Sequence, residues 1–361
     1  MDFWTWCIFA GLGYNIGHWC YLWSKVRKLP CNGHTASLPD VSVVLCTRDR
    51  AALLKAHLPT ILHQKYDRFE VVVVDDGSTD DTAPFLEALE EKCPHLVVLR
   101  MRNGGVGKKR ALYEGIRKAR HSWIVVTDDD CRPASPHWLR RLMECRDTSA
   151  GIVVGYSPMM SRPGLHNALF RWDTWLIAVQ YTAWTIAGKP YMAVGRNMAF
   201  ERQLFFKCFS HIQPNEPWGT DDLLVQCASR HTRVSAVVHP ESFVYTTPPD
   251  GLLQWWRRKL RHQRTAGTYS ILHVLQLSVF TLSQWIVAIA PIAALWSLDW
   301  RILALWLGRQ LWMHATLRRQ LPKWREEALI KYWWWYEMCV AWMYIALAVL
   351  LPSWLGRLPR R

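Results

Sequence analysis

The chain has no CxxC pair, and its 10 cysteines follow no regular spacing. Neither a zinc site nor a disulfide framework is indicated, and reduced thiols in a cytosol-facing protein are the expectation. Its glycine-rich turn, residues 103–108, lacks the GxxxxGK[ST] spacing of a P-loop. No GxGxxG follows the first predicted strand, so a dinucleotide fold fails as well. Acidic residues are also in short supply: 29 Asp and Glu stand against 44 Lys and Arg, a net charge of +15. That excess calls for anionic partners such as lipid, nucleotide phosphate or nucleic acid. Residues 3–23 and 271–298 contain no Asp, Glu, Lys or Arg at all.

What is abundant is tryptophan, 23 residues crowded toward both ends. Tryptophan gathers at membrane interfaces, with its ring half in hydrocarbon and its N–H wet. This favours a bilayer partner over nucleic acid. Residues 3–23 are long enough to span one bilayer core, and Lys25, Arg27 and Lys28 follow at once, placing the downstream side in the cytoplasm. A cleaved signal peptide fits less well, since the basic residues come after the apolar run. Toward the other end, residues 271–298 read as a span, 302–317 as a short apolar stretch interrupted by Arg309 and His314, and 332–351 as a further span despite Glu337. If all three cross, Arg357, Arg360 and Arg361 fall outside; if 302–317 is re-entrant, they fall inside. The expected organisation is an anchor at 1–28, a linker at 29–40, an α/β domain at 41–265, and a membrane region of two or three spans at 266–361.

Within 41–133, strand and helix patterns alternate. VSVVLC at 41–46 and the four valines 71–74 read as strands, the latter buried on both faces as in a parallel sheet. Strands at 96–99 and 123–126 complete a doubly wound α/β pattern with helices between. In such sheets ligands bind at the carboxyl ends of strands. Here those ends carry Asp75-Asp76 and Asp128-Asp129-Asp130. Consecutive carboxylates in a dry site require a cation, because like charges otherwise force one another to protonate. A hard divalent ion completed by a phosphate-bearing ligand meets that need. A lone DDD is equally readable as a solvated acidic turn.

Four segments taken together resemble one family: the strand ending in Thr47-Arg48-Asp49, VVVVDDGSTDDT at 71–82, NGGVGKKRAL at 103–112 and VTDDDCRP at 126–133. They look like the nucleotide-binding half of a family 2 inverting glycosyltransferase with a GT-A fold, of the membrane-anchored bacterial type and distantly similar to processive polysaccharide synthases. The resemblance implies a mostly parallel sheet, with transmembrane and interfacial helices added at both ends of this chain. It implies that Thr47, Asp49, Asp75 and Asp76 contact the nucleoside of a UDP-sugar. It also implies that Asp128 and Asp130 hold Mg²⁺ or Mn²⁺ on the diphosphate. Asp129 points elsewhere than its neighbours in an extended segment and is assigned to the sugar side. Lys108 stands where it can approach phosphate, or it belongs to a solvated basic helix face.

Farther on, Gly195-Arg196-Asn197-Met198-Ala199-Phe200 is similar to the family's segment lining donor sugar and acceptor, which puts Asn197 there. Gly219-Thr220-Asp221-Asp222 lies where the family places its general base; Asp222 is the first choice and Asp221 the second, and helix capping is the alternative for either. QWWRRKLRH at 254–262 is an imperfect match to the Q-x-x-R-W motif. Arg261 would bind diphosphate and Trp255 or Trp256 would pack a sugar, or the segment is a basic amphipathic helix on anionic lipid. The implied protein is a multi-pass inner-membrane enzyme with a cytoplasmic catalytic domain. It would move sugar from a nucleotide-sugar to a glycan or lipid-linked acceptor. Transfer to a polyprenyl phosphate and a non-catalytic membrane scaffold are the rivals.

Overall fold

The computed structural model describes residues 3–27, 37–101, 107–212, 219–266 and 268–355. Most of the expected linker, most of the glycine-rich turn and the C-terminal arginines lie outside the described residues. The chain divides into two compact units. One comprises Lys28–Met160 and Trp184–Pro248; the other comprises Met1–Arg27, Ser161–Ala183 and Pro249–Arg361. The linear reading ran the α/β domain without interruption over 41–265. Instead, Ser161–Ala183 and the residues from Pro249 group with the terminal helices.

The α/β unit is built on β1 (Val41–Thr47), β2 (Phe69–Asp75), β3 (Leu96–Arg100), β4 (Trp123–Val126), β6 (Ala150–Gly155), β7 (Met198–Glu201) and β8 (Arg233–Val237), with β5 (Cys131–Pro133) and β9 (Val244–Thr246) outside the main sheet. Strand order is β3-β2-β1-β4-β7-β6-β8, and β5 and β9 form a separate antiparallel ribbon. All neighbours in the main sheet are parallel except β7, which runs antiparallel to β4 and β6. The sheet is thus mostly parallel, as expected.

Helices α2 (Ala51–Leu62), α3 (Thr82–Glu90), α4 (Lys108–Lys118), α5 (Trp138–Glu144), α7 (Arg202–Cys208) and α8 (Thr220–Ala228) belong to this unit. Val71–Val74 have no exposed surface, which is why that strand carries no polar alternation. Helix α4 crosses β1 and β2 at Gly115, where a Cβ would stand 2.7 Å from both Val44 Cγ1 and Val74 Cγ2. Only glycine allows so close an approach.

Cys208 on α7 and Cys227 on α8 are joined by a disulfide, which corrects the expectation of reduced thiols throughout. The two lie 19 residues apart and come together only because the helices pack, so no local spacing announced the pair.

The helical unit contains α1 (Phe3–Val26), the first part of α6 (Leu165–Ile186), α9 (Leu252–Ala266), α10 (Ile271–Ser297), α11 (Trp300–Gln320) and α12 (Trp333–Leu355). Among the described residues, α10 is the one helix long and apolar enough to cross a membrane by length and composition. The expected span at 3–23 forms helix α1, which does not meet that measure; the one expected at 332–351 forms helix α12, whose later side chains lie outside the described residues. Helix α1 packs antiparallel on α10: Gly11 abuts Ile286, Asn15 Nδ2 donates to Gln284 Oε1 at 2.6 Å, and His18 stacks on Phe280. Leu298 and Asp299 alone separate α10 from α11, and the Asp299 side chain accepts from Arg301 N to cap it. Arg309, read from sequence as an interruption, is buried and ion-paired with Glu337 of α12.

Candidate active site

The site assembles at the carboxyl ends of β1, β2 and β4, where a parallel sheet leaves loops free to carry polar groups. At the end of β2, Asp75 is buried and holds its own turn. Its Oδ1 accepts from Ser78 N at 2.9 Å and from Ser78 Oγ at 2.5 Å. Its Oδ2 is enclosed without a hydrogen-bond donor, and Arg100 Nε lies 4.0 Å away. Asp76 Oδ2 accepts from Gly107 N at 3.1 Å, at the start of α4.

Beyond β1, Asp49 takes a left-handed backbone (φ 52°). Its carboxylate accepts from Thr79 N at 2.7 Å and Thr79 Oγ1 at 3.1 Å, and the backbone bond from Thr79 chiefly holds its pKa below the ordinary value. Asp49 therefore ties the β1 and β2 loops together.

The aspartate triplet after β4 is divided. Thr47 Oγ1 donates to Asp129 Oδ2 at 3.0 Å, so the middle carboxylate faces β1. Burial pushes Asp129 up to about 6; the Thr47 bond opposes this, and the charges of Asp128 and Asp130 add to it. Asp128, Asp130 and Cys131 each bring a ligand atom within 4.8 Å of the others. Asp130 is fixed from the β5–β9 ribbon: Cys131 Sγ donates to its Oδ1 at 3.3 Å, Thr246 Oγ1 to the same oxygen at 3.4 Å, and Thr247 N and Oγ1 to its carbonyl, both at 3.2 Å. Lys108, the first residue of α4, forms an ion pair with Asp128. Desolvation works against that ammonium, but Asp128, Cys46 and Asp221 together hold its pKa above the ordinary value.

Asp221 and Asp222 occupy the first turn of α8. Asp221 Oδ2 accepts from Gly195 N at 2.8 Å, and Asp222, which is buried, accepts from Ala193 N through Oδ1 at 3.2 Å. Asn197 has no exposed surface. Its amide nitrogen donates to Tyr156 O and Ser242 O, and its Oδ1 accepts from Trp138 Nε1. The side chain expected to line the sugar is thus spent on joining three segments of the core.

Trp255, Trp256 and Arg261 lie on α9, which groups with the helical unit. Trp255 is buried there, stacked on Phe170 at 5.8 Å, and Lys259 of the same helix pairs with Asp173 at 2.5 Å. The sequence reading passed over Cys131, Thr246, Thr247 and Arg196. Cys131 adjoins the triplet and was open to notice, whereas the threonines, more than a hundred residues downstream, were not.

The sequence of residues 42–205 matches the family model "Glycosyl transferase family 2". The succinoglycan biosynthesis protein ExoO of Rhizobium meliloti is 33% identical over 134 residues, 37% of this chain and 37% of that protein. The probable glycosyltransferase YdaM of Bacillus subtilis is 25% identical over 265 residues, 66% of this chain and 57% of that protein. The matches thus span between about a third and three fifths of these relatives. Among solved structures, the mannosyltransferase PcManGT from Pyrobaculum calidifontis, in complex with GDP-Man and Mn²⁺, superposes with a TM-score of 0.58 at 23% identity, covering 96% of each chain. Residues 42–205 of this chain thus resemble glycosyl transferase family 2, and its mostly parallel sheet is that of the GT-A fold.

Proposed function

We propose that this protein is a metal-dependent inverting glycosyltransferase. It takes a sugar from a nucleoside-diphosphate donor, with uridine as the base put forward first, and transfers it to a glycan or lipid-linked acceptor. The observation that carries this reading is the convergence of Asp128 and Asp130 at the end of β4, with the middle aspartate turned away to Thr47. Two carboxylates fit a hard divalent ion such as Mg²⁺ or Mn²⁺, which when bound would neutralise charge on the leaving diphosphate. The PcManGT complex, with its Mn²⁺ and GDP-Man, supports the same reading.

The unpartnered Asp75 Oδ2 suits a uracil N3–H or a ribose hydroxyl, since a buried acceptor without a donor is costly until a ligand supplies one. In an inverting displacement the base stands opposite the leaving group. Asp221 and Asp222 share the first turn of α8, and the resemblance to family members with a GDD segment makes Asp222 the first choice of base and Asp221 the second. Asp222 is therefore assigned the proton. It would deprotonate the acceptor hydroxyl as that oxygen bonds to the anomeric carbon and the bond to the diphosphate breaks.

The helical unit supports a membrane setting. Helix α10 exposes Ile271, Leu275, Leu282, Ile292 and Leu295 along its length. Exposed Phe3, Trp4 and Trp6 on α1 share an end with Trp296 and Trp300, while Lys25, Arg318, Arg319 and Lys331 gather at the other. Exposed Trp334 and Trp335 stand beside Lys331 at that second end, so aromatic residues mark both ends, as they do in membrane-spanning helices, and the basic cluster fits a cytoplasmic end.

The test is incubation of purified protein with a panel of UDP- and GDP-sugars and Mg²⁺ or Mn²⁺, followed by assay of nucleoside-diphosphate release. Release that depends on the ion and is abolished by EDTA supports the reading. Undiminished release in EDTA overturns the metal assignment, and no release with any donor overturns the function.

A further inference from the structure

Arg196 stands next to the site on a segment pinned from both sides. Gly195 N donates to Asp221 Oδ2, and a Cβ at Gly195 would lie 3.2 Å from that same oxygen. Asn197 N donates to Val194 O at 3.0 Å, and the Asn197 amide is locked in the core. Between these anchors Arg196 is partly buried, and its Nε donates to Ser157 Oγ at 3.3 Å. The Ser157 hydroxyl gives its own proton to Val244 O at 2.6 Å, so it is free to accept from the guanidinium. Val244 pairs with Pro133 across the β5–β9 ribbon, the ribbon that fixes Asp130. The Cys131 thiol, raised by burial and by Asp128 and Asp130, has Arg196 as an opposing charge.

With Nε engaged, the two terminal nitrogens keep their fork. Among the described residues, no carboxylate pairs with them. The surrounding charge argues for an anionic ligand. Lys108 is already matched to Asp128, and Asp130 and Asp221 add further negative charge. A diphosphate entering beside these carboxylates needs a cation besides the metal. A guanidinium fork suits phosphate oxygens better than an ammonium does.

We propose that Arg196 is a donor-binding residue whose free guanidinium nitrogens grip the sugar-bearing distal phosphate beside Asp130. The distal phosphate is favoured over the proximal one because the neighbouring backbone N–H, at Gly195, bonds Asp221, the chain neighbour of the assigned base Asp222. The inference rests on the donor-site reading above. A carboxylate on the transferred sugar offers the same chemistry, so the test must separate the two.

The experiment is calorimetric titration of the full chain in the presence of Mn²⁺ with uridine, UMP and UDP and with their guanosine counterparts. Wild type, Arg196→Gln and Arg196→Lys are compared, and Mn²⁺ affinity is followed separately by electron paramagnetic resonance. Arg196→Gln should lose about tenfold to a hundredfold in diphosphate affinity, with monophosphate, nucleoside and Mn²⁺ binding unchanged. Arg196→Lys should recover part of the loss. Equal losses for UMP and UDP would mark a structural effect and overturn the assignment, as would no loss at all. If UDP binding is untouched but preference between UDP-glucuronate and UDP-glucose changes, the partner is a sugar carboxylate and the phosphate assignment falls. If wild type binds none of these nucleotides, the donor-site reading falls, and this assignment with it.

Discussion

The Thr47 hydroxyl donates to Asp129 Oδ2 at 3.0 Å, drawing the middle aspartate to β1 while Asp128 and Asp130 turn toward Cys131. The three carboxylates should therefore differ sharply in what their loss does. Asp128→Asn and Asp130→Asn each remove a hard oxygen ligand, and Mn²⁺ affinity read by electron paramagnetic resonance should fall by about tenfold or more. Asp129→Asn keeps an acceptor for Thr47 and should leave Mn²⁺ affinity largely unchanged. Equal loss in all three variants would mean that the triplet acts only as a diffuse negative patch.

The α8 pair makes a second contrast. Asp222→Asn keeps shape and the bond from Ala193 N but cannot take a proton. Turnover should drop by about 10²–10⁴-fold with donor binding retained. Asp221→Asn removes charge from the side of Lys108, so its effect should fall on donor affinity more than on turnover. Single-turnover rates and donor Kd for both variants decide the matter. A dead Asp221→Asn beside an active Asp222→Asn would reverse the assignment.

These contrasts mark how far the sequence could be read. The parallel strands were legible because a strand buried on both faces must be apolar throughout, and Val71–Val74 is. Asp128 and Asp130 were legible because their spacing is local. Asn197 was not: nothing in GRNMAF tells that Trp138, Tyr156 and Ser242 consume its amide, since those contacts join segments 40 or more residues apart. Arg309 looked like a defect in a span because Glu337, which neutralises it, sits on another helix. The division of the chain into units was hidden for the same reason, because long-range packing leaves no periodic trace.

Glu70 gives a prediction in pH. It lies inside the sheet, 1% exposed, and accepts from Ser42 Oγ and Arg120 N, both at 2.6 Å, and from Arg120 Nε at 2.7 Å. Burial alone would raise its pKa, but the bonds from Ser42 and Arg120 outweigh burial and hold it below the ordinary 4.5. A folded value below the unfolded one means stability fully present above the unfolded pKa and lost as pH falls through the depressed folded value. Glu70→Gln should cost about 1–3 kcal/mol at neutral pH. It should also flatten the decline of the urea midpoint below about pH 4.5. A variant with the wild-type slope would place the acid sensitivity elsewhere.

The last prediction concerns the helical unit. Arg309 is buried, with Nη1 donating to Glu337 Oε2 at 2.6 Å and Nη2 to Glu337 Oε1 at 2.5 Å. Its Nε and Nη2 also reach Asn15 Oδ1, at 3.2 and 3.0 Å, and Asn15 Nδ2 donates on to Ser283 Oγ and Gln284 Oε1. Polar groups from α1, α10, α11 and α12 thus close one buried network across four helices. Removing one charge strands the other away from water, so Arg309→Leu or Glu337→Leu alone should cost about 3–5 kcal/mol. Removing both leaves no orphan charge, and the double variant should be far more stable than the sum of the single losses implies. Thermal unfolding of the purified full chain in detergent, run as a double-mutant cycle, measures the coupling. Additive losses would mean that the pair is reached by water and that the four helices owe their register to packing alone.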